Sequence, residues 1–155
     1  MYTFDPYSTH VPALALAVSL YGPRVLEIGC GWYSTPLLHS ISSEVVTLEN
    51  NSEWAEKFKA IAIDKIRVVP DMVAAAYAFS ACVWDVVFVD CEPVPDRGPI
   101  VEMFLGKGCC VVAHDTEATP YLELLTRIKY QRHFNFFVPK TSFLSNVLDL
   151  SLIHI

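Results

Sequence analysis

Positive charge is in short supply in this chain. Eleven Lys and Arg face seventeen Asp and Glu, a formal charge of −6 with histidine neutral. That balance gives no broad basic field for capturing nucleic acid, which is not expected as a partner, although Lys129, Arg132 and Lys140 form a small local patch. Charge of either sign is sparse, at 18% of residues against 53% hydrophobic ones, which excludes a disordered chain and a charged coiled coil and leaves a globular domain. Val11 to Leu20 is apolar but too short to cross a bilayer, and no basic segment precedes it, so a core element is expected rather than a membrane partner. Paired metal-ligand cysteines are missing as well. Of the five cysteines, Cys30, Cys82 and Cys91 show no such spacing, and Cys109 and Cys110 would point to opposite faces of a strand. Reduced thiols in a cytoplasmic protein are expected. No internal repeat is visible. The 155 residues suit one domain, 1–155, with little left for a separate substrate domain.

What is present centres on the stretch from Arg24 to Pro36. Val25, Leu26 and Ile28 read as a short buried strand, Gly29 and Gly31 permit backbone conformations closed to other residues, and Thr35-Pro36 suits a helix start. Strand, glycine turn and helix N-terminus together make a surface where backbone N–H groups face a polar ligand.

The pattern on either side alternates. A helix is predicted over Val11 to Tyr21, where helical and strand spacings compete and the alanines favour helix. After the turn come a helix from Pro36 to about Ile41, a strand from Glu44 to Glu49, and a helix from Asn50-Asn51-Ser52 onward with Trp54, Phe58 and Ile61 on one face. A strand over Ile66 to Val69, a helix over Met72 to Ala81 and an entirely apolar strand over Val86 to Val89 follow. The last part reads as a proline-rich loop, a helix over Ile100 to Leu105 and a strand over Cys109 to Ala113. A helix over Pro120 to Tyr130 with Leu122, Leu125 and Ile128 inward precedes closing strands over Phe134 to Val138 and Phe143 to Leu150. Such alternation predicts an α/β fold with a mainly parallel, doubly wound sheet covered on both faces. Ligands bind at the carboxyl ends of such strands. Glu27 to Gly31, Glu49, Asp71, Asp90 and His114-Asp115 all fall there.

Glu27-x-Gly29-x-Gly31 with Tyr33-Ser34-Thr35 resembles the glycine motif of class I S-adenosylmethionine-dependent methyltransferases, in the small-molecule subgroup with Ser-Thr after the second glycine. Val46 to Glu49 with the run Asn51 to Glu56 is similar to that family's second strand and helix, Trp84 to Asp90 to its fourth strand, and Gly108 to Thr116 to its fifth strand ending in His-Asp-Thr. The resemblance covers about residues 22 to 117. It implies a three-layer sandwich on a seven-stranded sheet with an antiparallel closing strand, S-adenosylmethionine as cofactor, and methyl transfer to O or N of a small-molecule acceptor. It also implies that Gly29, Cys30 and Gly31 approach the methionine part, that Tyr33 and Trp32 wall the pocket, and that Ser34 occupies the place of a dehydrogenase fingerprint's third glycine. Glu27 would sit below the turn, Glu49 with Asn50 would take the ribose, and Asp71 or Met72 would lie near adenine.

For catalysis the residues offer Asp90, His114 and Asp115. His114 is a general-base candidate near neutral pH or a structural histidine at a strand end. Asp90 and Asp115 suit a hard cation or loop closure, but Thr116 stands where the metal-dependent type has an Asn ligand, so no metal is assigned. Arg97 reads as an anchor for an acidic substrate group or a partner of Asp96. Adenine methylation in DNA is disfavoured because Asp90-Cys91-Glu92-Pro93 lacks the tetrapeptide it needs. Two alternatives stay open: a binding subunit on this fold without turnover, and aminopropyl transfer or nucleotide-dependent redox chemistry. The apolar tail, Leu150 to Ile155, suggests a covered edge, as in a homodimer.

Overall fold

Val25, Leu26 and Ile28 have no exposed surface, because the strand they form, β1 (Arg24–Ile28), lies in the interior of a seven-stranded sheet. The computed structural model describes residues 5–62, 64–136 and 138–153. Along the chain α1 (Val11–Tyr21) precedes β1, and α2 (Ser34–Ile41), β2 (Glu44–Glu49), α3 (Ser52–Glu56), β3 (Ile66–Val68), α4 (Met72–Phe79) and β4 (Val86–Val89) follow it. Then come α5 (Arg97–Phe104), β5 (Cys110–His114), α6 (Thr119–Leu125), β6 (Tyr130–Phe134) and β7 (Thr141–Ser145). The sheet order is β3-β2-β1-β4-β5-β7-β6. The five strands β1 to β5 are parallel, and β7 runs antiparallel to both β5 and β6. No described helix is long and apolar enough to cross a membrane.

Strand alternation divides the core in two. Leu26, Ile28, Val87, Val89 and Val111 pack on one face against Met72 and Ala76 of α4, Ile100, Val101 and Phe104 of α5, and Tyr121 and Leu124 of α6. Val25, Val86, Phe88 and Val112 pack on the other against Ala13, Leu14, Ala17 and Val18 of α1 and Leu38 of α2. Cys109 and Cys110 obey the same alternation, one in each core. All five cysteines are free.

The predicted elements are present with shifted boundaries. Tyr121 takes the inward position on α6 and leaves Leu122 59% exposed. That helix stops at Leu125, so β6 starts at Tyr130, four residues before the expected Phe134. β7 ends at Ser145 instead of running to Leu150, because the Ser145 hydroxyl accepts from the N–H groups of Val147 and Leu148 and turns the chain. The helix after Asn51 stops at Glu56, so of the expected face only the half-buried Trp54 lies on it; Phe58, buried, and Ile61, exposed, fall in the turns that follow. Phe137, within the expected closing strand, and positions 154–155 of the tail lie outside the described residues. Leu150 and Ile153 are buried in the chain's own second core, so the apolarity of those two residues is accounted for without a second copy.

Candidate functional site

The glycine turn is built by close approach. Gly29 has φ +100°, and a Cβ there would lie 2.4 Å from the Asp90 carbonyl oxygen, so only glycine lets the turn after β1 press on the turn after β4. Its amide groups are already engaged. The Cys30 N–H donates to Glu49 Oε2 at 2.9 Å, the Gly31 N–H donates to Thr35 Oγ1 at 3.0 Å, and Trp54 Nε1 donates to the Cys30 carbonyl at 2.8 Å. Glu49 also accepts from the Asn51 N–H at 2.8 Å. Each oxygen of this buried carboxylate holds one backbone N–H, and its second lone pair is left for another donor.

Beneath the turn Glu27 is fully buried. Thr35 Oγ1 donates to its Oε1 at 3.0 Å and Thr47 Oγ1 to its Oε2 at 2.7 Å, and Thr47 in turn meets His39 Nε2 at 2.9 Å. Burial pushes the Glu27 carboxyl up to about 7 despite these hydroxyls. Glu27 therefore shapes the turn through Thr35. The buried Ser34 hydroxyl, close to Gly31, also faces the Glu27 carboxyl.

A second group converges at the ends of β4 and β5. Arg97, 4% exposed, contacts Asp90 Oδ1 at 3.0 Å and Asp115 Oδ2 at 2.7 Å through Nη1, and donates from Nε to the Cys91 carbonyl at 2.6 Å. It clamps the two carboxylates instead of pairing with Asp96. Asp115 closes the turn after β5 at φ +54°, an uncommon conformation for a non-glycine residue. His114 Nε2 meets Thr9 Oγ1 at 2.8 Å. Its Nδ1 lies 3.2 Å from Asp90 Oδ2 in a close polar contact. Burial opposes a charge on His114, but Asp90 prevails and the imidazole is raised. His10 stands edge-on to it with ring centroids 4.7 Å apart. Burial, with His114 beside it, drives His10 down to about 4, so it is neutral at physiological pH. Burial also pushes the Cys30 and Cys91 thiols up, which removes both as nucleophiles.

These groups border a cleft of about 350 Å³ lined by Tyr7, His10, Cys30, Gly31, Trp32, Tyr33, Trp54 and Asp90. Tyr33 OH donates to Asp5 Oδ2 at 2.6 Å and holds the leading segment in place. A second recess of about 580 Å³ is lined by Asn50, Asn51, Ser52, Glu53, Glu92 and Pro93, with Asn50 Nδ2 donating to the Glu92 carbonyl at 2.8 Å. Of the sequence candidates, Cys30, Gly31, Tyr33 and Asp90 share the first cleft. Asp71 caps α4 by accepting from the Ala74 N–H, and Met72 is 2% exposed inside the core. Tyr7, Thr9 and His10 went unsignalled. They sit in a stretch with no periodicity, and only the fold carries them over β5.

No family model matches the chain, and no curated protein does. Solved structures do. The C-terminal domain of precorrin-6Y C5,15-methyltransferase from Rhodobacter capsulatus aligns with a TM-score of 0.60 at 16% identity, covering 86% of this chain and 88% of that one. A methyltransferase-like protein from Silicibacter pomeroyi aligns at 0.60 and 16%, covering 94% and 88%. An rRNA methylase from Streptococcus thermophilus aligns at 0.59 and 8%, covering 93% and 97%. Strand order, the antiparallel β7 and these alignments agree: the chain has the Rossmann-like fold of the methyltransferases.

Proposed function

We propose that the chain is an S-adenosylmethionine-dependent methyltransferase that transfers a methyl group to an oxygen or nitrogen of a small-molecule acceptor. The observation that carries this reading is Glu49. Two backbone N–H groups fix its carboxylate at the end of β2, next to the glycine turn, with lone pairs left for a pair of vicinal hydroxyls. The cleft supports it, since four aromatic residues and the carboxylate of Asp90 suit a sulfonium cation. In this reading the cofactor's methionine end passes Cys30 and Gly31, its ribose meets Glu49 and Asn50, and its adenine lies toward Asp71. The sulfonium needs little activation, so the protein's work is to align the nucleophile in line with the methyl group and to remove its proton beside Asp90 and His114.

Calorimetry with S-adenosylmethionine and S-adenosylhomocysteine tests the proposal. Binding is expected, and Glu49→Ala is expected to weaken it by about tenfold to a hundredfold, the worth of hydrogen bonds to a charged group. Failure of both ligands to bind at millimolar concentration overturns the reading. One observation favours a second reading, binding without turnover: both His114 nitrogens face partners, and Arg97 spends Nη1 on Asp90 and Asp115 and Nε on the Cys91 carbonyl. Cofactor binding without methyl transfer across a broad acceptor panel separates it from the first.

A further inference from the structure

We propose that His10, Asp90 and His114 form a binding site for one divalent transition metal of the zinc class, opening onto the cleft between Tyr7 and Trp54. This goes beyond the methyltransferase reading and does not depend on it. One ligand atom from each of the three side chains lies within 4.8 Å of the others. His114 Nδ1 and Asp90 Oδ2 are 3.2 Å apart, the separation of neighbouring ligands about 2.1 Å from a shared zinc. The ring centroids of His10 and His114 are 4.7 Å apart at 80°, which brings both imidazoles within reach of one ion.

A second, independent observation points to a ligand. Both ring nitrogens of His10 are buried and have no hydrogen-bond partner among the described residues, which folded proteins rarely leave uncompensated. The surrounding contacts have the form of an outer shell. Thr9 Oγ1 holds Nε2 of His114, fixing the ring with Nδ1 toward Asp90. Arg97 occupies Asp90 Oδ1 and leaves Oδ2 toward His114. Two imidazoles and one carboxylate select zinc, cobalt or iron over magnesium or calcium, which want oxygen donors. The sequence pointed to Asp90 and His114 but not to His10, which lies 80 positions from Asp90 in an unpatterned lead-in. Where the methyltransferase reading also holds, a metal here lowers the pKa of an acceptor hydroxyl in the cleft, whose proton leaves to solvent, and so favours oxygen over nitrogen as the nucleophile.

The test is titration of the full chain, stripped with chelator and free of S-adenosylmethionine, with Zn²⁺ by calorimetry and Co²⁺ by visible absorption. One equivalent is expected per chain, with a cobalt spectrum free of thiolate charge transfer. Thr9→Val should weaken binding by about tenfold to a hundredfold, His10→Phe should weaken it further, and Cys82→Ser should leave it unchanged. The proposal is overturned by wild-type protein that takes up no stoichiometric metal, by a thiolate band, or by affinity unchanged in His10→Phe. If circular dichroism shows His10→Phe unfolded, Thr9→Val decides, and unchanged affinity there overturns it. A chain that binds zinc but no cofactor leaves this site standing and removes the methyltransferase reading.

Discussion

Gly29→Ala isolates what holds the two halves of the cleft floor together. At φ +100° an alanine pays the left-handed penalty, about 1–2 kcal/mol. Its Cβ would also lie 2.4 Å from the Asp90 oxygen, 2.8 Å from the Asp90 carbonyl carbon and 2.8 Å from Cys91 Cα. All three atoms are backbone, so no side chain can rotate away, and overpacking adds about 1–3 kcal/mol. The sum, roughly 2–5 kcal/mol, is a large share of the 5–15 kcal/mol that typically separates folded from unfolded chains. Gly106→Ala is the control, because nothing lies within 4 Å of a Cβ there and its φ is not in the glycine-favouring range; it should fall within about 0.5 kcal/mol of wild type. Urea unfolding followed by tryptophan fluorescence measures both. A Gly29→Ala loss below about 1 kcal/mol would refute the reasoning, since it would mean the turns after β1 and β4 are not pressed together.

Glu27 has a folded-state value of about 7 against an ordinary 4.5, so between those pH values the folded chain holds a proton that the unfolded chain has released. Its contribution to stability therefore falls as pH rises from about 4.5 to about 7 and is level above, a loss of about 3 kcal/mol for so buried a group. Glu27→Gln should remove that slope in urea midpoints taken from pH 5 to 8, and parallel curves would contradict it. Arg97→Leu leaves Asp90 and Asp115 facing one another without their shared cation. A loss of about 2–3 kcal/mol is expected, the low end for a broken buried pair because both acids are partly open; a thermal midpoint equal to wild type would rule the clamp out. Ile153→Ala should cost about 2–3 kcal/mol by opening a cavity in the second core. A neutral result would detach the tail from the core.

The sheet was legible because its signals are local. Val86 to Val89 reads as a buried strand without any neighbour in view, and the acids at strand ends follow from the parallel arrangement itself. Boundaries near the C-terminus were not legible: Tyr121 and Leu122 are equally plausible inward residues until the sheet's position chooses between them. Glu49 and Asp90 stood out in the sequence because each closes a strand. Arg97 stood out in the sequence but its partners did not, since Asp96 is adjacent in sequence while Asp90 and Asp115 are adjacent only in space. The engaged state of the turn's amides was equally hidden, depending on where Thr35 and Glu49 place their oxygens.

The hydrogen bond between Thr9 and His114 joins positions 105 residues apart. During synthesis the segment carrying Tyr7, Thr9 and His10 emerges early and waits, without its anchor, until β5 has been made and added beside β4. The cleft wall is thus among the last surfaces to assemble. Among the described residues few bonds tie that segment down, so amide exchange over residues 5–10 should run ahead of exchange in the central strands.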